Sequence, residues 1–217
     1  MLEDAAPEEI LAWAARAYGS RVALACSFGG PSGHVLVDMV ARLRAPIDVY
    51  YLDTGLLFKE TYAHIERVSN HYGITPIAVR PSRSIDEQAA AFGARLWERD
   101  PERCCNLRKV EPQREFLRNY DAWISGIRRD QSQTREQVRV VSWDASFGLA
   151  KINPLAHWTD EMVWTYIQAH DVPYNPLHDR GYRSIGCSTC TLAVRANEPL
   201  RAGRWKPFAK TECGLHQ

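Results

Sequence analysis

The sequence has little of what marks a nucleic-acid-coating, membrane-spanning or secreted protein. Its 27 lysines and arginines nearly cancel its 26 aspartates and glutamates, and the net charge of +1 argues against a protein that mainly coats nucleic acid. No apolar run approaches the length needed to span a membrane. The stretch from Met1 to Glu9 is acidic, where a secretory signal would be basic. We therefore expect a soluble, cytoplasmic protein.

The sequence also lacks internal repeats and low-complexity linkers, so one domain is the expected organisation. With 217 residues and 45% hydrophobic content, the chain is long enough for one well-buried core. Beyond Pro173 the regular periodicity is lost, which is typical of a ligand-bearing loop and tail. We predict a single α/β domain over residues 1–200 and a mobile C-terminal tail over residues 201–217.

Strand-like and helical segments alternate along the domain. Strands are predicted at 22–26, 47–52, 75–79 and 122–125, with edge pairing of 139–143 and 150–152. Helices are predicted at 8–18, 33–43, 58–72 and 162–169, the last with Thr159 as its N-cap. Such alternation predicts a Rossmann-like, mostly parallel twisted sheet covered by helices on both faces, with ligands bound beyond the carboxyl ends of the strands.

A glycine-bearing turn follows the first predicted strand and precedes a helix. Small residues there let backbone N–H groups approach a phosphate at the helix N-terminus. The turn lacks the Gly-Lys-Ser/Thr ending of a Walker A loop, so an ordinary ATPase or kinase is not supported, and a purely structural turn is the alternative. The candidate nucleotide-binding residues here and after the second strand are Ser27, Phe28, Gly29, Gly30, Asp53 and Thr54. Asp53 suits a ribose contact, although it could equally cap a loop.

A second anion-binding candidate follows the fourth predicted strand. Gly126 is followed closely by Arg128, Arg129 and Arg135, and arginines in that position can clamp phosphate or sulfate through forked hydrogen bonds. Solvated surface arginines are the alternative. Their position directly after a strand favours the clamp.

Four of the six cysteines form two close pairs far apart in the sequence, Cys104 with Cys105 and Cys187 with Cys190. Structural disulfides are uncommon in a reducing compartment, and four thiolates suit an iron–sulfur centre, with zinc as the alternative. If the first pair is helical, Lys109 lies on the face of Cys105 and points towards the metal site.

The C-terminal tail carries a cysteine that no metal-ligand spacing explains. Cys213 has basic residues before it, among them Arg201 and Arg204, and His216 lies three positions after it. Cationic neighbours stabilise a thiolate. Cys213 is therefore the candidate nucleophile, and His216 either activates it or orders the tail.

Taken together, these residues resemble the assimilatory adenylyl-sulfate reductases, which are related to phosphoadenylyl-sulfate reductase within the adenine-nucleotide alpha-hydrolase group. The resemblance extends from Ser27 to the end of the chain. The matching motifs are Leu52-Asp53-Thr54-Gly55, Cys104-Cys105-x-x-Arg108-Lys109, Gly126-x-Arg128-Arg129-x-x-Ser132-x-x-Arg135, Cys187-x-x-Cys190 and Glu212-Cys213-Gly214-Leu215-His216. The glycine turn, with Gly29-Gly30-Pro31-Ser32, departs from the acidic versions of this family.

The resemblance implies a thioredoxin-dependent reduction of adenosine 5'-phosphosulfate to sulfite and AMP. Cys213 would carry an S-sulfocysteine intermediate, and one 4Fe-4S cluster on the two cysteine pairs would organise the site. The basic groups implied to assist at sulfur are Lys109, Arg128, Arg129, Arg201 and Arg204.

Other functions remain open at this point. One is activity on the 3'-phosphorylated substrate. Another is an ATP-dependent enzyme of the same fold, in which the Cys213 tail would have no task. A third is a non-catalytic zinc or iron–sulfur module, which would leave the glycine turn and the tail unexplained. The sequence leaves open the oligomeric state, the position of the tail and the identity of the thioredoxin.

Overall fold

Six strands form one twisted sheet in the computed structural model, which describes residues 2–195, 197–206, 208, 210 and 212–216. The strands are β1 (Val22–Ala25), β2 (Asp48–Leu52), β3 (Ile77–Val79), β4 (Ala122–Ser125), β5 (Val141–Asp144) and β6 (Leu149–Ile152). Their order is β3-β2-β1-β4-β6-β5. All pairings are parallel except that of β5 with β6. The predicted mostly parallel α/β sheet is confirmed, with β5 alone at one edge and β6 inside it.

Seven α-helices connect and cover these strands within the described residues. They are α1 (Pro7–Tyr18), α2 (Pro31–Leu43), α3 (Lys59–Tyr72), α4 (Ile85–Phe92), α5 (Pro101–Cys105), α6 (Glu111–Leu117) and α7 (Asp160–Ala169). Helix α2 begins at Pro31, two residues before the predicted start, because the fixed φ of proline and its missing N–H suit the first helical position. Thr159 caps α7 as predicted, accepting a hydrogen bond of 3.2 Å from the Met162 N–H.

The sequence prediction assigned no helix between 80 and 103, where the structure has α4 and the start of α5. These helices are short and carry few buried apolar side chains, so their periodicity is weak. A readable signal existed nonetheless, because Ser84 and Glu87 form a reciprocal capping box at the start of α4.

Helices lie on both faces of the sheet. One face carries the larger core, to which α1, α2, α3 and α7 contribute buried side chains such as Leu11, Leu36, Ile65 and Val163. The opposite face is covered by α6, whose Leu117 belongs to a smaller apolar cluster. None of the helices in the described part of the chain is both long enough and apolar enough to cross a membrane.

The strand order places a crevice at the carboxyl ends of β1 and β4. The chain moves outward from β1 through β2 to β3 and then returns to β4 on the other side of β1. Loops that leave β1 and β4 therefore diverge, and ligands in such sheets bind in the gap between them. The glycine turn and Gly126 follow these two strands.

Candidate active site

A deep cleft opens at this switch point. Most of the residues predicted for nucleotide binding and catalysis line it. These are Ser27, Gly29, Gly30, Thr54, Lys109, Gly126, Arg128, Arg201, Arg204, Cys213 and His216. Phe28, Asp53 and Arg129 are absent from that lining. The structure therefore brings most of the expected residues to one cleft and places three of them outside its lining.

Close backbone approach explains the glycines of the cleft. A Cβ on Gly29 would stand 2.8 Å from the carbonyl oxygen of Ile185, and one on Gly126 would stand 3.0 Å from the Cβ of Ser32. Gly30 is the N-cap of α2. The first turn of α2 lines the cleft through Pro31, Ser32 and Gly33, and a helix N-terminus that faces a cleft is an arrangement that binds anions.

The Phe28 side chain does not line the cleft but packs in the interior behind the glycine turn. Its side chain is fully buried and packs edge-on against Tyr51 with ring centroids 5.8 Å apart. Its φ of 51° lies in the left-handed region, which is costly for a bulky residue. Asn175 donates a hydrogen bond of 3.0 Å to the Phe28 carbonyl, and the His178 ring Nε2 lies 2.9 Å from the Gly29 carbonyl oxygen. The sequence prediction missed both supporting residues, and no motif in a single sequence marks them.

Asp53 stabilises the loop after β2. Its carboxylate accepts hydrogen bonds from the Tyr62 hydroxyl at 2.6 Å, from Arg80 Nε at 3.0 Å and from the Gly55 N–H at 3.2 Å. Burial alone would raise the pKa of Asp53, but these hydrogen bonds and the Arg80 charge outweigh it and lower the pKa. The loop-capping alternative therefore describes Asp53 in this structure.

The predicted arginine clamp separates into three different roles. Arg128 is buried in the cleft wall, where it binds Asp130 at 3.0 Å, Asp160 at 2.9 Å and the hydroxyl of Ser32. Arg129 points away from the cleft and forms an ion pair of 2.8 Å with Glu3.

The third of these arginines, Arg135, reaches the tail. Its guanidinium binds the carboxylate of Glu212. Apart from Asp130, the carboxylate partners of the three arginines come from distant parts of the chain, so spacing alone could not reveal them.

The two cysteine pairs meet at one cavity beside the cleft. Cys104, Cys105, Cys187 and Cys190 all line it, together with Arg108, Lys109 and Trp205. Within the described part of the chain, no group of three or more Cys, His, Asp or Glu side chains could hold a metal ion. The four cysteines nevertheless line one shared space.

Three of these thiols are buried, and that of Cys190 is partly buried. Burial, followed by the charges of the other three thiols, raises the pKa of Cys104 to about 12. The hydroxyl of Thr54 lies 3.3 Å from the sulfur of Cys187. Because Thr54 also lines the cleft, this contact joins the cysteine cavity to the candidate nucleotide site.

Lys109 lies between the cleft and the cysteine cavity and lines both. Burial would lower its pKa, but the negative charges of Cys187, Cys213 and Cys105 outweigh burial and raise it. Lys109 belongs to a π-helical turn, Asn106–Val110, inserted between α5 and α6. The sequence prediction assumed α-helical spacing here. The Lys109 side chain nevertheless lies close to the cavity thiols of Cys105 and Cys187 and to the tail thiol of Cys213.

The described part of the tail folds back into the cleft, while residues 207, 209, 211 and 217 lie outside the described residues. Trp205 donates its backbone N–H to the Cys190 carbonyl at 3.0 Å, which seats the start of the tail beside the cysteine cavity. Cys213 then lies in the cleft within electrostatic range of Lys109 and Arg201. The structure therefore brings Cys213, which the sequence assigned as the nucleophile, together with two of the cations assigned to support it.

His216 stacks flat on Trp123 at the floor of the cleft, with ring centroids 5.6 Å apart and 7° between the planes. Burial first, and then the charges of Lys151, Arg135 and Arg201, lower the pKa of His216 far below its usual range. Its Nδ1 is buried and has no hydrogen-bond partner among the described residues. Of the two roles predicted for His216, this geometry favours ordering the tail over activating the thiol.

The chain matches known proteins over most of its length. Residues 21–193 match the family model described as the phosphoadenosine phosphosulfate reductase domain. An adenosine 5'-phosphosulfate reductase from Halalkalibacterium halodurans is 49% identical over 96% of this chain and 90% of its own length. Adenosine 5'-phosphosulfate reductase 2 from Bacillus subtilis is 48% identical over 96% of this chain and 89% of its own length.

A solved structure is similar at the level of the whole fold. The phosphoadenylyl-sulfate reductase from Candida auris, in a phosphate complex, aligns with a TM-score of 0.76 and 34% identity, covering 87% of this chain and 91% of that one. FMN adenylyltransferase from Candida glabrata in complex with ATP aligns with a TM-score of 0.63 at 18% identity, covering 88% of this chain and 64% of that one. The second similarity concerns the fold alone.

Proposed function

Because the chain belongs to the phosphoadenosine phosphosulfate reductase domain family, we propose that it reduces adenosine 5'-phosphosulfate to sulfite and AMP with thioredoxin as the electron donor. The observation that carries this proposal is the position of Cys213, a thiol that lies in the nucleotide-type cleft beside Lys109 and Arg201. An enzyme that merely adenylates a substrate has no use for such a thiol. We assign residues 1–200 to the substrate-binding domain and residues 201–217 to the tail that carries the nucleophile.

The cleft offers a separate place for each part of the nucleotide. The α2 N-terminus at Gly30, with Ser27 and Gly29, supplies N–H groups and a dipole for the phosphate. Thr54 and Gly126, at the ends of β2 and β4, border the space beyond the strands where the nucleoside would lie. The sulfonyl group is then directed towards Cys213, Arg201 and Arg204.

In the first step the Cys213 thiolate attacks the sulfur of the substrate. An S–S bond forms, the bond between that sulfur and the phosphate oxygen breaks, and AMP leaves with the electron pair. The enzyme then carries S-sulfocysteine. Negative charge develops on the leaving phosphate and on the three sulfonyl oxygens, so the guanidinium groups of Arg201 and Arg204 and the ammonium of Lys109 lower the barrier.

In the second step a thioredoxin thiolate attacks the Cys213 sulfur. The S–S bond breaks, sulfite leaves, and a mixed disulfide forms, which the second thioredoxin thiol resolves to release Cys213 as a thiol. Two electrons pass from thioredoxin to the sulfonyl sulfur, and thioredoxin becomes the disulfide. Reduced thioredoxin and free thiols are maintained in the cytoplasm, and this chemistry accords with the location predicted from the sequence.

Cys104, Cys105, Cys187 and Cys190 would hold one 4Fe-4S cluster. The four cysteines line one cavity and supply the four thiolates that a 4Fe-4S cluster takes, and zinc, which would draw four sulfurs to about 2.3 Å from one centre, is the alternative. When bound, the cluster would supply a fixed charge that organises the site electrostatically. The cationic side chains Arg108 and Lys109 lie against the same cavity and balance the thiolates.

The 3'-phosphorylated substrate is the second candidate, because the Candida auris relative is named a phosphoadenylyl-sulfate reductase. The test measures sulfite formation from each nucleotide separately. We expect sulfite to form from adenosine 5'-phosphosulfate, and the rate with the 3'-phosphorylated nucleotide shows which of the two substrates the protein prefers. The assay uses anaerobically purified protein and reduced thioredoxin.

The key variant for this assay is Cys213→Ser. It should retain nucleotide binding and form no sulfite, and the wild-type tail peptide should gain the mass of a sulfonate when thioredoxin is omitted. Sulfite formation by the serine variant would refute the assignment of the nucleophile.

A further inference from the structure

The carboxylate next to the nucleophile forms a two-pronged ion pair between the tail and the cleft. Arg135 donates from Nε to Glu212 Oε1 at 2.9 Å and from Nη2 to Oε2 at 2.8 Å, which is a bidentate arrangement. Arg201 donates to the same Oε2 at 3.3 Å. The Glu212 and Arg135 side chains are only 11% and 9% exposed.

We propose that Glu212 is the positioning residue of the reaction and that its pairing with Arg135 holds Cys213 at the sulfonyl position of the cleft. The proposal rests on the proposed function for the role of Cys213. Consecutive Cα atoms lie 3.8 Å apart. Because Arg135 holds both oxygens of the Glu212 carboxylate, the neighbouring Cys213 thiol is confined to a small volume. Such confinement is a large part of what an enzyme gains from orientation.

The structure on the other side of Cys213 agrees with this role. Gly214 has a φ of 85°, in the left-handed region that favours glycine, and a Cβ there would stand 3.3 Å from the side chain of Val110. His216 is then stacked on Trp123. Cys213 thus lies between a charged contact at Glu212 and an aromatic contact at His216. The backbone turn at Gly214 presents the thiol to the cleft.

The charge balance is also suitable for an anionic substrate. Burial would raise the pKa of Glu212, but its hydrogen bonds with Arg135 and the charges of Arg135 and Arg201 outweigh burial and lower the pKa. Glu212 is therefore ionised, and its negative charge is matched by two guanidinium groups. A carboxylate beside the thiolate without these partners would repel a sulfonate.

The same contact could in principle act against the reaction, because Glu212 occupies two cations that a sulfonate could use. If that were its main effect, removing the carboxylate would accelerate attack on the substrate and tighten nucleotide binding. If Glu212 instead positions Cys213, removing the carboxylate should slow the attack on the substrate. The experiment below separates the two.

The first measurement needs no nucleotide and is independent of the proposed activity. Purified Glu212→Gln protein is treated with iodoacetamide, and the labelling rate of the Cys213 peptide is followed by mass spectrometry. The matched control is Glu198→Gln, which removes a more exposed ion pair between Glu198, just before the tail, and Lys206 within it. We expect labelling of Cys213 to become at least about tenfold faster in Glu212→Gln, because a partly buried charged pair is lost, and to stay at the wild-type rate in the control. Equal rates in all three proteins would overturn the proposal.

The second measurement is the single-turnover formation of S-sulfocysteine with saturating adenosine 5'-phosphosulfate and no thioredoxin. Glu212→Gln should slow this step at least about tenfold while AMP binds with nearly unchanged affinity, and Glu212→Asp should give an intermediate rate. A rate equal to or above that of the wild type would refute positioning. If the wild-type protein forms no S-sulfocysteine, the proposed function fails, and the labelling experiment still decides whether Glu212 holds the tail.

Discussion

Arg128 is the residue whose sequence interpretation changes most. Placed directly after β4, it was expected to bind the anionic substrate. In the structure its guanidinium is almost fully buried and already binds Asp130, Asp160 and Ser32. A guanidinium with two carboxylate partners has little capacity left for a sulfonate. It joins the β4 loop to the start of α7 and to the first turn of α2, so its contribution is mainly structural.

Arg128→Gln should therefore lower the free energy of unfolding by about 2–4 kcal/mol, because both carboxylates lose a buried partner. The two carboxylates are about one third exposed, which keeps the loss below that of a fully buried pair. Urea unfolding monitored by circular dichroism measures it. The control is Arg21→Gln, whose ion pair with Asp121 is far more exposed and should cost much less stability than the loss of Arg128. Losses of equal size in the two variants would contradict this account.

Among the elements, those with strong local signals could be predicted. The β1 strand, the glycine turn and α2 follow one another as the sequence indicates, and their place at the switch point follows from the rules of parallel sheets. Between α4 and α6 only the capping box of α4 offered a local signal, because these helices are short and polar and depend on tertiary contacts. The pairing of Arg135 with Glu212 joins residues 77 positions apart, and no single sequence contains that information.

The π-helical turn Asn106–Val110 forms part of the wall of the cysteine cavity. Glu111 donates its backbone N–H to the Asn106 carbonyl, five residues earlier, and such π insertions are frequent at functional sites. The turn directly follows Cys104 and Cys105 and contains Arg108 and Lys109. Residues 104–110 thus contain two thiols and two cations within seven residues. These four side chains line the same cavity as Cys187 and Cys190.

Replacing Cys187 with serine should remove most of the iron from anaerobically purified protein, because one of four proposed ligands is lost. Cys26→Ala is the matched control, since Cys26 is also buried but lies under the glycine turn against Gly33. Iron is measured by a colorimetric assay after acid release. Unchanged iron in Cys187→Ser would remove this residue from the ligand set, and loss of iron in Cys26→Ala would show that the assay reports folding instead.

At the scale of the whole molecule, two buried histidines and a partly buried third join segments that are distant in the sequence. His34 on α2 and His64 on α3 approach each other with their Nε2 atoms 2.9 Å apart, and His178 lies beside them. Burial is the main cause that lowers the pKa of all three. The charges of the neighbouring histidines lower it further for His34 and His64, and Arg67 adds to the effect on His64. The pKa of His64 falls to about 4.

This cluster predicts that the fold loses stability as the solution becomes acidic. A histidine whose pKa is lowered by folding stays neutral in the native state and gains a proton in the unfolded state, so its contribution is present above pH 6.5 and is lost as the pH falls. For His64 the loss extends from about pH 6.5 to about pH 4 and amounts to roughly 3 kcal/mol. Urea unfolding at pH 7.5 and pH 5 should show it. His64→Gln should reduce the pH dependence, whereas His71→Gln, an exposed position on the same helix, should leave it unchanged. An identical pH dependence in both variants would mean that other groups control the acid sensitivity.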